Sequence, residues 1–109
     1  MSTILGLDIG SSSVIAGILR GTKVLAEAPR AFFRSHCDGP KVEVDPDELL
    51  RAIRTALAGL GGKAAKVDAI HLAVMCPAWV AMDRKGQPLT PIVTHQDRRS
   101  VAQAQALEA

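Results

Sequence analysis

Ile4-Leu5-Gly6-Leu7-Asp8-Ile9-Gly10-Ser11-Ser12-Ser13-Val14-Ile15-Ala16-Gly17-Ile18-Leu19 is the stretch around which the 109-residue chain is organised. Two apolar runs, Ile4 to Ile9 and Val14 to Leu19, flank Gly10 and three serines. That pattern predicts two buried strands joined by a tight polar hairpin. A single acid, Asp8, stands near the end of the first run. A carboxylate buried without partners is costly, so an acid in so apolar a setting calls for compensation, for instance by a metal ion. Asp8 is the first candidate functional residue.

The turn that follows has the chemistry of an anion receptor. Gly10 is suited to the positive φ of a sharp reversal, and Ser11, Ser12 and Ser13 bring hydroxyls and closely spaced backbone N–H groups. Successive N–H donors in a turn can cradle phosphate oxygens, and a neighbouring carboxylate can hold magnesium through water. The motif is not a Walker A loop, because no Gly-Lys-Ser/Thr follows, and Gly6 and Gly10 lack the spacing of a dinucleotide fingerprint. The competing interpretation is a plain hairpin whose serines cap their own turn and whose acid is satisfied by backbone donors.

Further along, Arg20-Gly21-Thr22 forms a turn and Lys23 to Ala28 a third antiparallel strand. Pro29 to Lys41 has no period and is expected to be a surface loop or an irregular extension of that strand, docked by Phe32 and Phe33. Asp45-Pro46-Asp47-Glu48 is a helix start, with Asp45 as N-cap, Pro46 in first position and Glu48 placed to complete a capping box. Leu49, Leu50, Ile53, Ala56, Leu57 and Leu60 form the apolar face, and Gly59, Gly61 and Gly62 supply left-handed stop positions. Ala69 to Val74 is nearly all apolar, as expected of a central strand covered on both sides, with His71 a packed core histidine. Val80–Asp83 and Pro88–Thr94 flank the turn Arg84–Gln87 as a second hairpin, and a helix begins at Val101. That helix runs to Ala109 without Gly, Pro or a basic residue to stop it, so the sequence reads as the front piece of a longer protein.

Composition narrows the function classes. Thirteen basic and eleven acidic residues are well mixed for a net charge of +2, and only 3% of residues are aromatic. Neither a basic stripe nor stacking platforms for nucleic acid result. Cys37 and Cys76 are far apart, in no metal or disulfide pattern, and suit a reducing compartment. Met1-Ser2-Thr3 lacks a basic leader and the apolar run behind it is broken by Asp8, so no signal peptide or membrane span is expected. A soluble cytoplasmic protein of 109 residues, 48% hydrophobic, is expected to bury a core.

Gly6-Leu7-Asp8-Ile9-Gly10-Ser11-Ser12-Ser13 resembles the opening phosphate motif of the sugar-kinase, Hsp70 and actin superfamily. Three later stretches narrow the resemblance to the FGGY carbohydrate kinases, the family of xylulose, glycerol and gluconate kinases. Glu43-Val44-Asp45-Pro46 looks like the family's Glu-x-Asp-Pro helix start. Asp83-Arg84-Lys85-Gly86-Gln87-Pro88-Leu89 looks like its Asp-x-x-Gly hairpin turn, and His95-Gln96-Asp97-Arg98-Arg99-Ser100 like its Trp-Gln/Asn-Asp-x-Arg-Ser/Thr segment. Four motifs in order, spanning Ile4 to Ala109, are far more specific than any one of them.

The resemblance implies an α/β fold of the ribonuclease H-like type, a mixed sheet with three antiparallel first strands and flanking helices, of which residues 1–109 form an incomplete first domain. It implies phosphorylation of a sugar or polyol hydroxyl by ATP with magnesium. Asp8 would organise the metal, Gly10, Ser11, Ser12 and Ser13 would hold the β- and γ-phosphates, and Met75, Cys76, Pro77, His95, Gln96, Asp97 and Arg99 would line the sugar side. Asp97 alternatively caps the last helix, and Arg99 is alternatively a surface residue. The family's catalytic base is an aspartate further along, and its adenosine-gripping lobe is also absent, so these residues alone are expected to be inactive. Three changes depart from the family: Ile15 replaces a basic residue, the segment Val74-Met75-Cys76-Pro77 stands where Gly-Gln-Met-His or a Gln-Arg-Glu variant is common, and His95 replaces tryptophan. They point to an unusual sugar, or to a sugar- or nucleotide-binding module of actin-like fold without catalysis; another actin-like ATPase is a third reading. Neither nucleic acid nor membrane is an expected partner, and an apolar face left without cover would favour a homodimer.

Overall fold

The alternation of the first two runs sets the layers of the fold. In a computed structural model describing residues 1–109, β1 (Thr3–Ile9) and β2 (Ser13–Arg20) pair antiparallel, with Asp8 opposite Ile15 and Ile9 opposite Val14. Side chains alternate across a strand, so Leu5, Leu7, Val14, Ala16 and Ile18 bury on one face while Gly6, Ile15, Gly17 and Leu19 lie half-covered on the other.

β3 (Lys23–Glu27) pairs with the far half of β2, and the chain then continues along the same edge. After Ala28, whose N–H bonds the Ala16 carbonyl, β4 (Ala31–Phe32) pairs with Ser13 and Val14. This is the irregular extension expected after the third strand. The rest of the supposed loop is more ordered than expected, because β5 (Ser35–Asp38) and β6 (Lys41–Val44) form a hairpin around Gly39, which takes φ +55°. Of the two phenylalanines only Phe33 docks, at 7% exposure; Phe32, one residue earlier on the pleat, is 74% exposed.

The helix α1 (Pro46–Ala58) starts as the sequence requires: Asp45 accepts the Asp47 N–H at 2.8 Å and Pro46 occupies the first turn. Ala52 and Ala56 are buried against β2 and β4, while Leu50 points outward. Glu48 does not close a capping box. It turns to the neighbouring hairpin, accepting from His36 Nε2 at 3.2 Å and the Arg34 N–H at 3.4 Å. Only Gly61 of the three expected stop glycines is left-handed, and a 3-10 segment, Gly61–Lys66, leads to the next strand.

β7 (Ala69–Val74) runs parallel to β1, giving the order β3-β2-β1-β7 with β4 beside β2. A parallel pair reached through a helix is the expected crossover. The expectation of a strand covered on both sides fails. β7 is the sheet edge and α1 lies over β2 and β4 instead, so Ile70, Leu72 and Val74 are exposed, Leu72 at 64%. His71 is likewise exposed rather than packed in a core.

The second hairpin is held at only a few points. Trp79 bridges Val93, Met82 bridges Pro88, and the Leu89 N–H bonds the Ala81 carbonyl at 2.7 Å. Its outgoing arm, β8 (Ile92–Val93), joins β6 to make a second sheet, β5-β6-β8, and α2 (Val101–Glu108) follows with only Val101 half-buried. Only 17 of 109 residues are buried, and the radius of gyration is 16.7 Å against about 13 Å for a compact domain of this length. The two sheets thus form an extended body whose core is thinner than its composition leads one to expect.

Candidate functional site

The phosphate-type turn is anchored by its carbonyls. Phe33 N–H donates to the Ser12 carbonyl at 3.0 Å, Ser35 Oγ–H to the Ser11 carbonyl at 3.3 Å, and Gly10 N–H to the Ser13 carbonyl at 3.0 Å. The N–H groups of Ser11 and Ser12 donate to no protein acceptor. With acceptors occupied and donors free, the turn presents the polarity an anion needs. Gly10 does this without the positive φ expected of it: the chain's left-handed glycines are Gly21, Gly39, Gly61 and Gly86. A Cβ at Gly10 would lie 3.5 Å from the Ser13 carbonyl oxygen, an ordinary contact.

Asp8 sits two residues before Gly10, on the sheet face turned away from α1. There it lines an open cavity of about 430 Å³ with Gly6, Ile15, Gly17, His71 and Ala73. It is exposed, so the argument from a buried uncompensated carboxylate does not apply; the even-numbered side of β1 has no covering element and the acid remains hydrated. Nowhere do three or more His, Cys, Asp or Glu side chains come together as a metal cage. The turn residues do not line the Asp8 cavity. A single exposed carboxylate fits magnesium arriving with a phosphate ligand, since that ion keeps several waters and needs only one or two carboxylates.

A second concavity forms where the chain leaves β7. Met75 N–H donates to the Ile9 carbonyl at 2.8 Å, which carries the chain past the end of β1, and Pro77 then lines a cavity of about 240 Å³ with Trp79, His95, Asp97 and Arg99. The structure thus brings together Pro77, His95, Asp97 and Arg99 of the expected sugar-side residues. Met75 instead packs against the core, and Cys76 and Gln96 are exposed outside this cavity.

Asp97 and Arg99 are braced rather than free. The Asp97 carboxylate, 4% exposed, accepts from the Val42 N–H at 2.8 Å and from Arg99 through its N–H, Nε and Nη2. Arg99 Nη2 also reaches Glu43 at 2.5 Å. Asp97 is not the cap of α2, whose N-cap position is Ser100 without a side-chain bond. The Arg99 guanidinium holds the Asp97 carboxyl far below the usual carboxylate range despite burial, with the Arg99 and Val42 N–H groups adding to the effect. Asp97 and Glu43 in turn push the Arg99 guanidinium still higher. Charge-assisted pairs of this kind fix geometry, so the 95–100 segment is locked onto β6. Asp83 has a comparable structural task, its carboxylate accepting the Lys85 and Gln87 N–H groups at 2.8 and 2.9 Å to shape the turn at Gly86.

Two residues of this region escaped the sequence reading. Glu43 stood in view as the first residue of the Glu-x-Asp-Pro motif, yet its bond to Arg99, 56 residues away, has no local signature. Trp79 is the only tryptophan in the chain, and nothing in the apolar hairpin around it marks its side chain as facing a cavity.

Comparison with known proteins agrees with this architecture. The model of the FGGY family of carbohydrate kinases, N-terminal domain, matches residues 3–109. Among solved structures, a xyloylose kinase from Brucella ovis superposes with TM-score 0.86 at 24% identity, over 96% of this chain and 23% of that one. A xylulose kinase from Rhodospirillum rubrum superposes with TM-score 0.80 at 26% identity, again over 96% and 23%. A gluconate kinase from Lactobacillus acidophilus does so with TM-score 0.80 at 17% identity, over 97% and 22%. No curated protein sequence matches. The chain thus spans less than a quarter of the length of these structural relatives, and its mixed sheet is their ribonuclease H-like fold. The free-donor turn and the braced cavity beyond β7 belong to a chain that is a member of the FGGY family of carbohydrate kinases, matching that family's N-terminal domain.

Proposed function

We propose that this chain supplies the phosphate-holding turn and part of the sugar pocket of an ATP-dependent carbohydrate kinase. What supports the reading is that a turn with free N–H donors follows β1 while a polar cavity follows β7, two strands that end side by side at Ile9 and Val74. The free N–H donors of Ser11 and Ser12 follow Asp8 by three and four residues, and the braced Asp97–Arg99 cavity begins at Pro77, two residues after the Met75–Ile9 bond. Gly10 and Ser13 complete the turn that would receive the β- and γ-phosphates, and Asp8 would hold magnesium through water. In the reaction a sugar hydroxyl oxygen attacks the γ-phosphorus, the bond to ADP breaks, and the hydroxyl proton passes to a base. Such transfer rests on positioning and charge stabilisation, so residues 1–109 in isolation are inactive for want of the base and the opposing lobe. The parent protein is cytoplasmic, and its acceptor is a small sugar or polyol.

One observation favours a non-catalytic binding module instead. Ile15 lies directly opposite Asp8 in the β1–β2 register, where a cation would help neutralise phosphate. ADP release by the full-length parent, measured with pentuloses, polyols and aldonic acids, separates the two. Sugar-dependent turnover lost in Asp8→Ala is the expected result. Tight sugar binding without turnover on any acceptor would establish the binding module.

A further inference from the structure

We infer that Ser35 is a positioning residue for the phosphate-type turn, acting through the peptide unit that joins Ser11 to Ser12; this rests on the carbohydrate-kinase reading above. Ser35 Oγ–H donates to the Ser11 carbonyl at 3.3 Å, across 24 residues of sequence. The Ser11–Ser12 peptide is trans, the chain's cis bond being Cys76–Pro77. In a planar trans peptide the carbonyl and the following N–H point in opposite directions. A hydroxyl that holds the Ser11 carbonyl on one side therefore aims the Ser12 N–H to the other, and that N–H is one of the two donors the turn leaves free.

The next peptide is set by the same stretch. Phe33 N–H donates to the Ser12 carbonyl at 3.0 Å, which fixes the plane joining Ser12 to Ser13. Residues 33 and 35 thus hold two consecutive carbonyls of the turn, and its peptide planes do not rotate independently. Of these two contacts only the one from Ser35 belongs to a side chain. It is the contact that a substitution removes while the backbone stays as it is.

Ser35 is itself held in place. On β5 it pairs in register with Val44 of β6, which is fully buried. Glu48, in the first turn of α1, accepts the Arg34 N–H at 3.4 Å through Oε2, and its Oε1 lies 3.2 Å from His36 Nε2. One carboxylate thus grips the residues before and after Ser35. Successive side chains point to opposite faces of a strand, so His36 reaches Glu48 while Ser35 reaches the turn. Donors fixed before a ligand arrives lose little freedom on binding, and preorganised donors count most where negative charge is gathered. The effect of Ser35 accordingly falls on the nucleotide phosphates and not on the acceptor.

The test uses Ser35→Ala, which removes the hydroxyl, and Ser35→Thr, which keeps it. In the full-length parent, ATP affinity is measured by calorimetric titration and KM for ATP and for acceptor by ADP release. Ser35→Ala is expected to weaken ATP binding and raise KM for ATP about three- to tenfold, the range covered by one neutral hydrogen bond, with KM for acceptor within about twofold. Its urea midpoint moves by less than about 0.5 M, and Ser35→Thr stays within about twofold of the wild type throughout. An unchanged ATP affinity and KM in Ser35→Ala, a matching rise in acceptor KM, or an equal loss in Ser35→Thr would overturn the positioning role and leave the kinase reading intact. Weaker ATP binding in Ser35→Ala, rescued by Ser35→Thr, in a parent that turns over no acceptor would keep the role and remove the kinase. A wild-type parent that neither binds ATP nor turns it over overturns both.

Discussion

Truncating Phe33 tests the link between the core and the phosphate-type turn. Phe33 is 7% exposed within the hydrophobic cluster, and its N–H bonds the Ser12 carbonyl at 3.0 Å. Phe33→Ala removes a buried ring from a thin core, and such changes cost about 3–5 kcal/mol from lost transfer energy plus the cavity left behind. Phe32, the adjacent residue at 74% exposure, offers an internal control whose truncation should fall within about 0.5 kcal/mol. With a urea m-value of about 2 kcal/mol/M, Phe33→Ala lowers the unfolding midpoint by about 1.5–2.5 M. Phe32→Ala leaves it almost unmoved. The assay is equilibrium urea unfolding followed by far-ultraviolet circular dichroism. Equal effects for the two variants, or a loss below about 1 kcal/mol for Phe33→Ala, would refute the assignment of Phe33 as the anchor.

Gly10→Ala is expected to leave the urea midpoint within about 0.5 kcal/mol, because the added Cβ meets only an ordinary 3.5 Å contact and no positive φ is involved; in the parent protein KM for ATP rises, since the methyl crowds the approach to the turn. Asp97 has a lowered folded pKa, so its contribution to stability is complete above the unfolded value near 3.8 and is lost as pH falls below it toward the folded one. Stability measured from pH 7 to pH 4 should therefore show no loss from this group, and Asp97→Asn should flatten the acid limb below pH 4.

The hairpin of β1 and β2 was legible because alternation and a Gly-Ser turn are local facts, and so was the start of α1, where Asp45 and Pro46 act within one turn. What escaped depends on which residues lie alongside which. The apolar run Ala69–Val74 says that a strand forms but not that α1 covers β2 and β4 and leaves it bare. Asp8 looked buried because its neighbours in sequence are apolar, whereas its exposure is set by the uncovered face of β1. Adjacent phenylalanines are equivalent in composition and opposite on a pleat. Glu48 was well placed for a capping box, but His36 and the Arg34 N–H, brought close by the β5–β6 hairpin, competed for it. In the site, the family resemblance suggested seven sugar-side contacts. The bond from Met75 to Ile9 then decides which of them share a cavity, and the brace from Glu43 to Arg99 explains why a motif on β6 accompanies one fifty residues later.

The small β5–β6 hairpin touches both the Gly-Ser turn and the cavity beyond β7. Ser35, at the start of β5, holds the Ser11 carbonyl of the turn, while Glu43 on β6, paired in register with His36, holds Arg99 in the lining of that cavity. One ribbon therefore ties the two features together, and strand geometry sets the distance between them. On the kinase reading proposed above, an acceptor of different length is met by turning within its cavity and not by widening the gap.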